Sequence, residues 1–173
     1  MMKATIGYGL VLLLASAAMG MASPAASGQS SDEAPLASAV AGARVSLEQG
    51  LRASESKGRP ISGKFEMEDG RLQLSLYTSK GGKYSEVIVD HMTGKIGKSE
   101  AITSGEDLNA AKAQSAAMAK AKRSLRAAVA RAVSANPGSR AVSAVPELKD
   151  GRPVAGIKLL QGKAFKTVSE PLD

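Results

Sequence analysis

In EVIVDHMTGKI, Glu86 to Ile96, a β-branched run ends on Asp90 and is followed by the chain's one histidine, His91. An acid beside an imidazole is the raw material of general acid–base chemistry, and both side chains can hold a metal. Such chemistry needs more than a pair: an orienting group and a nucleophile or metal must also be within reach. The chain has no cysteine and no second histidine, and no further ligand stands at a recognisable metal spacing. In a regular strand, moreover, adjacent residues point to opposite faces. A short acid at a strand end has another use, because it accepts hydrogen bonds from backbone N–H groups two or three residues on. Thr93 can reinforce that turn, and Gly94 supplies a left-handed backbone. The expectation is a structural turn with no catalytic residue, no metal and no cofactor.

Two other groups of residues point to contact rather than catalysis. Between Leu108 and Ala135 there are six basic residues and no acidic one. At helical spacing most of them fall opposite the apolar stripe of Met118, Leu125 and Val129. Lys112, Lys120, Arg123, Arg126 and Arg131 form a candidate basic docking surface for an anionic membrane surface or an acidic protein patch. Tyr77, Tyr84 and Ile88 fall by alternation on the outward face of the first sheet and are a candidate partner contact. The methionines Met67, Met92 and Met118 are scattered over different elements and read as packing residues.

The elements that carry these residues are written twice. RPISGKFEMEDGR (59–71) aligns without gaps on RAVSAVPELKDGR (140–152), an offset of 81. Alternation of apolar and polar residues predicts a strand with one buried face in each copy. Asp69-Gly70 and Asp150-Gly151 then give the strongest short hairpin signal. A second strand follows each hairpin, GGK or QGK makes the next turn, and a third strand begins. Upstream, Leu36, Val40, Ala43, Leu47 and Leu51, and in the second copy Met118, Ala121, Leu125, Val129 and Ala132, recur at helical spacing. The expected fold class is α+β: two repeats of one helix followed by a three-stranded antiparallel meander, with the helix on one sheet face. Repeat 1 is expected over 36–102 and repeat 2 over 103–173. Each is too small to be very stable alone, so the two should pack or pair in one body.

The N-terminus reads as targeting. Lys3 precedes an apolar run from Ile6 to Met19, and Gly20-Met21-Ala22 suits a signal-peptide cleavage after Ala22. That run is shorter than the ~20 residues a membrane span needs. Residues 1–22 are the expected signal peptide and 23–35 a flexible leader, which places the chain in the periplasm or outside the cell. Loss of Lys3 lowers the formal net charge from +7 to +6. A basic exported chain with four remaining aromatics favours acidic partners and argues against nucleic acid.

The helix, the Asp-Gly hairpin and the closing series Val87, Val89, Asp90, Thr93, Gly94 and Ile96 resemble the PepSY domain. The match covers about residues 36–97, with a degenerate copy over 115–173 that ends on Pro171 and lacks the Thr-Gly. The resemblance implies a non-catalytic module of exported proteins, whose partner is an unknown protein, a peptidase being one candidate. That family occurs in the propeptides of thermolysin-like peptidases, where an inhibitory role is proposed, and as stand-alone periplasmic proteins. In architecture the expected pair of repeats is also similar to the β-lactamase inhibitory protein.

Overall fold

A computed structural model describes residues 33–173. The expected signal peptide and most of the expected leader lie outside the described residues. The element order is α1 (Glu33–Gly42), α2 (Leu47–Ser54), β1 (Arg59–Glu68), β2 (Arg71–Lys80), β3 (Lys83–Val89) and β4 (Ile96–Ile102). It continues with α3 (Gly105–Lys120), α4 (Leu125–Ser134), β5 (Arg140–Lys149), β6 (Arg152–Gln161) and β7 (Ala164–Pro171). All seven strands form a single antiparallel sheet in the order β4-β3-β2-β1-β5-β6-β7.

The class is α+β, but the unit expected from the sequence is wrong in three respects. Each half carries two helices, not one. The first half adds a fourth strand, β4, so the described residues hold no pair of separate three-stranded meanders. Finally, the helices do not share one sheet face. The leader also ends earlier than expected, since Glu33 to Pro35 are already helical, with Pro35 in the first turn where its missing N–H costs nothing.

The second helix arises because the helical pattern is interrupted by backbone bonding. Leu36 through Leu51 keep helical spacing, yet residues 43–46 leave the helix. There the N–H groups of Arg44 and Val45 both donate to the His91 carbonyl, at 3.0 and 2.9 Å. Ser46 then starts α2 afresh: its Oγ accepts from Gln49 N at 3.2 Å, and Gln49 Oε1 accepts from Ser46 N at 2.8 Å. This reciprocal capping box satisfies two donors that a new helix would otherwise leave bare. Residues 121–124 repeat the break. Lys122 and Arg123 donate to the Leu172 carbonyl at 2.8 and 3.0 Å, and Ser124 caps Ala127 N at 3.2 Å.

The faces follow from strand alternation. A Cβ on Gly63 would lie 2.5 Å from Leu76 and 3.2 Å from Leu47, so α2 covers the face that holds Gly63, Phe65, Leu74 and Leu76. α4 lies beside α2 on that face, where Arg126 meets Glu55 and Arg131 meets Glu170. α3 binds the alternate residues instead: Ser62 donates to Gln114, and Tyr77 donates to Asp107. It therefore packs on the opposite face, and α1 starts from the same side, with Glu33 paired to Lys158 at 2.7 Å. The sheet is the middle layer of a sandwich whose apolar residues run through both interfaces.

At the centre, β1 pairs with β5 through Gly63↔Ala144 and Lys64↔Ser143. Gly63 and Ala144 are equivalent positions at the 81-residue offset, so a local two-fold axis passes through this pair. Both hairpins share an interruption at the same place, between Pro60 and Ser62 and between Ala141 and Ser143. Gly63→Val would force a branched side chain into the space of Leu76 and Leu47, which are fully buried. It should cost about 1–3 kcal/mol in urea unfolding at an unchanged m-value.

Candidate functional site

Of the turns singled out in the sequence, those at Asp69 and Asp90 lie together at one end of the first half, and Asp150-Gly151 belongs to the second. Asp69 and Gly70 take φ of 48° and 73°, and Asp150 and Gly151 take 51° and 78°. Two successive positive φ values define the tight hairpin that matches strand twist, and Asp-Gly adopts it at low cost. After β3, Asp90 Oδ1 accepts from Met92 N and Thr93 N, both at 2.8 Å. Gly94 takes φ 75° and returns its N–H to the Asp90 carbonyl at 2.8 Å, while Thr93 Oγ1 accepts from Lys95 N at 3.4 Å. The N–H groups of Thr93 and Met92 hold the Asp90 carboxyl below the ordinary carboxylate value. Both of these turns border a recess that is open to solvent, lined by Glu68, Asp69, Arg71, Asp90 and His91 among others. Among the described residues no three acidic or histidine side chains gather as a metal site.

His91 has a defined task, performed by its backbone. Its carbonyl holds the α1–α2 break, and the residue 81 positions on, Leu172, holds the α3–α4 break in the same way. Histidine in one half and leucine in the other share nothing but that carbonyl. The half-buried imidazole borders the recess, and among the described residues its Nδ1 has no hydrogen-bond partner.

Tyr77, Tyr84 and Ile88 do share a face, as their pairing with Glu86, Ser79 and Ser75 requires. That face is the one α3 partly covers. The Tyr77 hydroxyl donates to Asp107 at 2.8 Å, and burial, then this acceptor, pushes its pKa up. All three side chains are half-buried rather than displayed, and Tyr77 and Tyr84 pack against the core. Beneath α3 the residues Ser62, Ser75, Tyr77 and Gln114 border a space of about 20 Å³, room for one water and no substrate. Ser75 in turn bonds Glu86, and Lys64 pairs with Glu66, whose carboxyl is raised by burial despite that partner.

The basic residues are not one surface. The expected long helix ends at Lys120 and restarts at Leu125 on the other side of the sheet. Lys112 and Lys120 belong to α3, Lys122 and Arg123 to the break, and Arg126 and Arg131 to α4. Lys120 reaches the Gly151 carbonyl at 3.4 Å, and Arg126 and Arg131 are paired with Glu55 and Glu170. No helix among the described residues is long and apolar enough to cross a membrane.

Several organising residues carry no mark in the sequence. Arg140 donates to the carbonyls of Ala43 at 2.8 Å and Val45 at 2.6 Å and lies over the Phe65 ring, 5.8 Å from its centroid. It thereby ties the second half to the helix break of the first. Its counterpart Arg59 is exposed. Gln114 is a polar residue buried in mid-helix, and only the position of Ser62 explains it. Ser46-Leu-Glu-Gln49 was an available signal for α2, since Ser-x-x-Gln before an apolar stretch marks a helix start, whereas Ser124 is followed by Ala127 three residues on and offers the cap serine alone. No family model, curated protein or solved structure matches the chain.

Two outcomes test this account of the turn. Asp90→Ala should lower the urea midpoint at neutral pH. The folded pKa lies below the unfolded one, so this stabilisation exists above about 3.9 and fades as pH falls through the folded value. Wild type and variant should converge there. His91→Leu should unfold close to wild type, whereas Leu172→Ala, which empties a fully buried site, should cost about 2–5 kcal/mol.

Proposed function

We propose that the chain is an exported, non-catalytic PepSY-like module that binds another protein, with a peptidase as the first candidate, and acts by covering surface rather than by chemistry. The observation that carries this reading is the fate of the one acid–imidazole pair: Asp90 is spent on two backbone N–H groups, and His91 does through its carbonyl what Leu172 does in the other half. A signal-like N-terminus and the PepSY-like series from Val87 to Ile96 support export and the family resemblance.

The contact is the outer sheet edge. Both faces carry helices, but β7 has a sheet neighbour on one side only. An edge strand offers unpaired N–H and C=O groups to an extended segment of a partner, which could lie across a peptidase cleft or insert from it. Ala164, Lys166, Thr167 and Ser169 along β7 are exposed. A photo-crosslinking residue at Thr167 should give a discrete adduct with a protein of the cell envelope, and the same probe at Lys57, beyond α2, should not. His91→Leu should leave the adduct intact. Equal labelling from both sites, or loss of the adduct in His91→Leu, would overturn the reading.

A further inference from the structure

The opposite edge of the sheet has a property that β7 lacks. β4 is paired on one side to β3, and Gly97 through Ala101 are all exposed. Its sequence around Ser99 is Gly-Lys-Ser-Glu-Ala. Laid antiparallel on itself with Ser99 opposite Ser99, this segment sets Lys98 against Glu100 twice and the small Gly97 against the small Ala101. Slipping the pairing by two residues in either direction sets Lys98 against Lys98 or Glu100 against Glu100. Directly opposed unlike charges stabilise a strand pair and like charges destabilise it, so one register is selected and its neighbours are rejected.

The surroundings agree. Within the chain Glu100 stands opposite Glu86 of β3, a like-charge cross-strand pair. Its available counter-charge is Lys98 of the same strand, at 2.9 Å on the exposed surface. A second copy would bring another Lys98 to the far side of each Glu100. On β7 the comparable charges are already taken: Lys166 bonds Asn136, Glu170 pairs with Arg131, and Pro171 interrupts the end.

We infer that the chain forms a two-fold homodimer by antiparallel pairing of β4 with β4 about Ser99, joining two seven-stranded sheets into one. The contact is isologous and closed, because each copy uses the same strand and none is left to propagate. It leaves both β7 edges at the outer ends, where the partner contact proposed above lies, and it stands independently of that proposal.

The chain has no cysteine, which makes a direct test possible. In this register the two Ser99 Cα atoms are about 4.5–5.5 Å apart, within the range a disulfide spans. Ser99→Cys should oxidise to a covalent dimer, while Ala101→Cys, opposite Gly97, and Val168→Cys, on the other edge, should not. In sedimentation, wild type should run as a dimer, and Lys98→Glu and Glu100→Lys should each run as a monomer. Mixing those two variants should restore a one-to-one dimer, because each then faces opposite charge at both positions. A monomeric wild type at its highest soluble concentration, cross-linking at Ala101→Cys as fast as at Ser99→Cys, or no dimer in the mixture would overturn the inference. Adduct formation from Thr167 in the monomeric Lys98→Glu chain keeps the two proposals separable.

Discussion

The pairing of β1 with β5 at Gly63 and Ala144 is the contact on which the architecture depends. Without it each half would present its first strand as an open edge, and the residues that straddle the joint would lose their partners. The joint is made by the two smallest side chains, which is why α2 and α4 can meet above it while Ser62 reaches Gln114 below. Ladder bonds between β1 and β5 are few, so the helices that bridge the two strands carry much of the union. α3 crosses from Tyr77 and Ser62 of the first half to the Gly151 turn of the second, and Arg140 returns the link to Ala43 and Val45.

Duplication explains what the conspicuous residues are for. Strands β1, β2 and β3 recur as β5, β6 and β7 with their starting residues 81 positions apart, together with the hairpin geometry and the irregularity beside each Ser62-type position. Whatever both halves do must depend on features they share. His91 and Leu172 share a carbonyl that accepts two N–H groups and breaks a helix. The same comparison isolates what is particular to one half. Arg140 acts where Arg59 does not, Asp90 builds a turn where Pro171 ends a strand, and β4 exists only in the first half.

That asymmetry gives the molecule two different edges. Gly97 to Ala101 of β4 are exposed and carry opposite charges one residue either side of Ser99, while on β7 Glu170 is held by Arg131 of α4, Lys166 by Asn136 just beyond it, and the end is blocked by proline. Edge strands are normally protected against indiscriminate pairing, and a charge pattern that admits one register is a way of protecting without closing. The basic residues of α3 and α4 make no comparable surface, since the helix break sends them to opposite sides of the sheet.

The six strands of the repeat, their hairpins and the α+β class were legible in the sequence because they rest on local rules: period-two alternation, the positive φ of Asp-Gly, and a repeat that can be aligned letter by letter. β4, which has no counterpart in the second half, was not. The role of Asp90 was legible for the same reason, as its bonds reach only two and three residues along the chain. Helix number was not, because Leu36 to Leu51 keep perfect helical spacing through a break that exists only once the distant His91 carbonyl arrives. Nor could alternation say which face α3 would take, or that Tyr77 would be claimed by Asp107, since a strand with polar residues on one side looks the same whether water or a helix covers them. Local backbone preference was written into the chain residue by residue, whereas the layers and the joint between halves came from hydrogen bonds between segments 30 to 97 positions apart, whose partners no local pattern names.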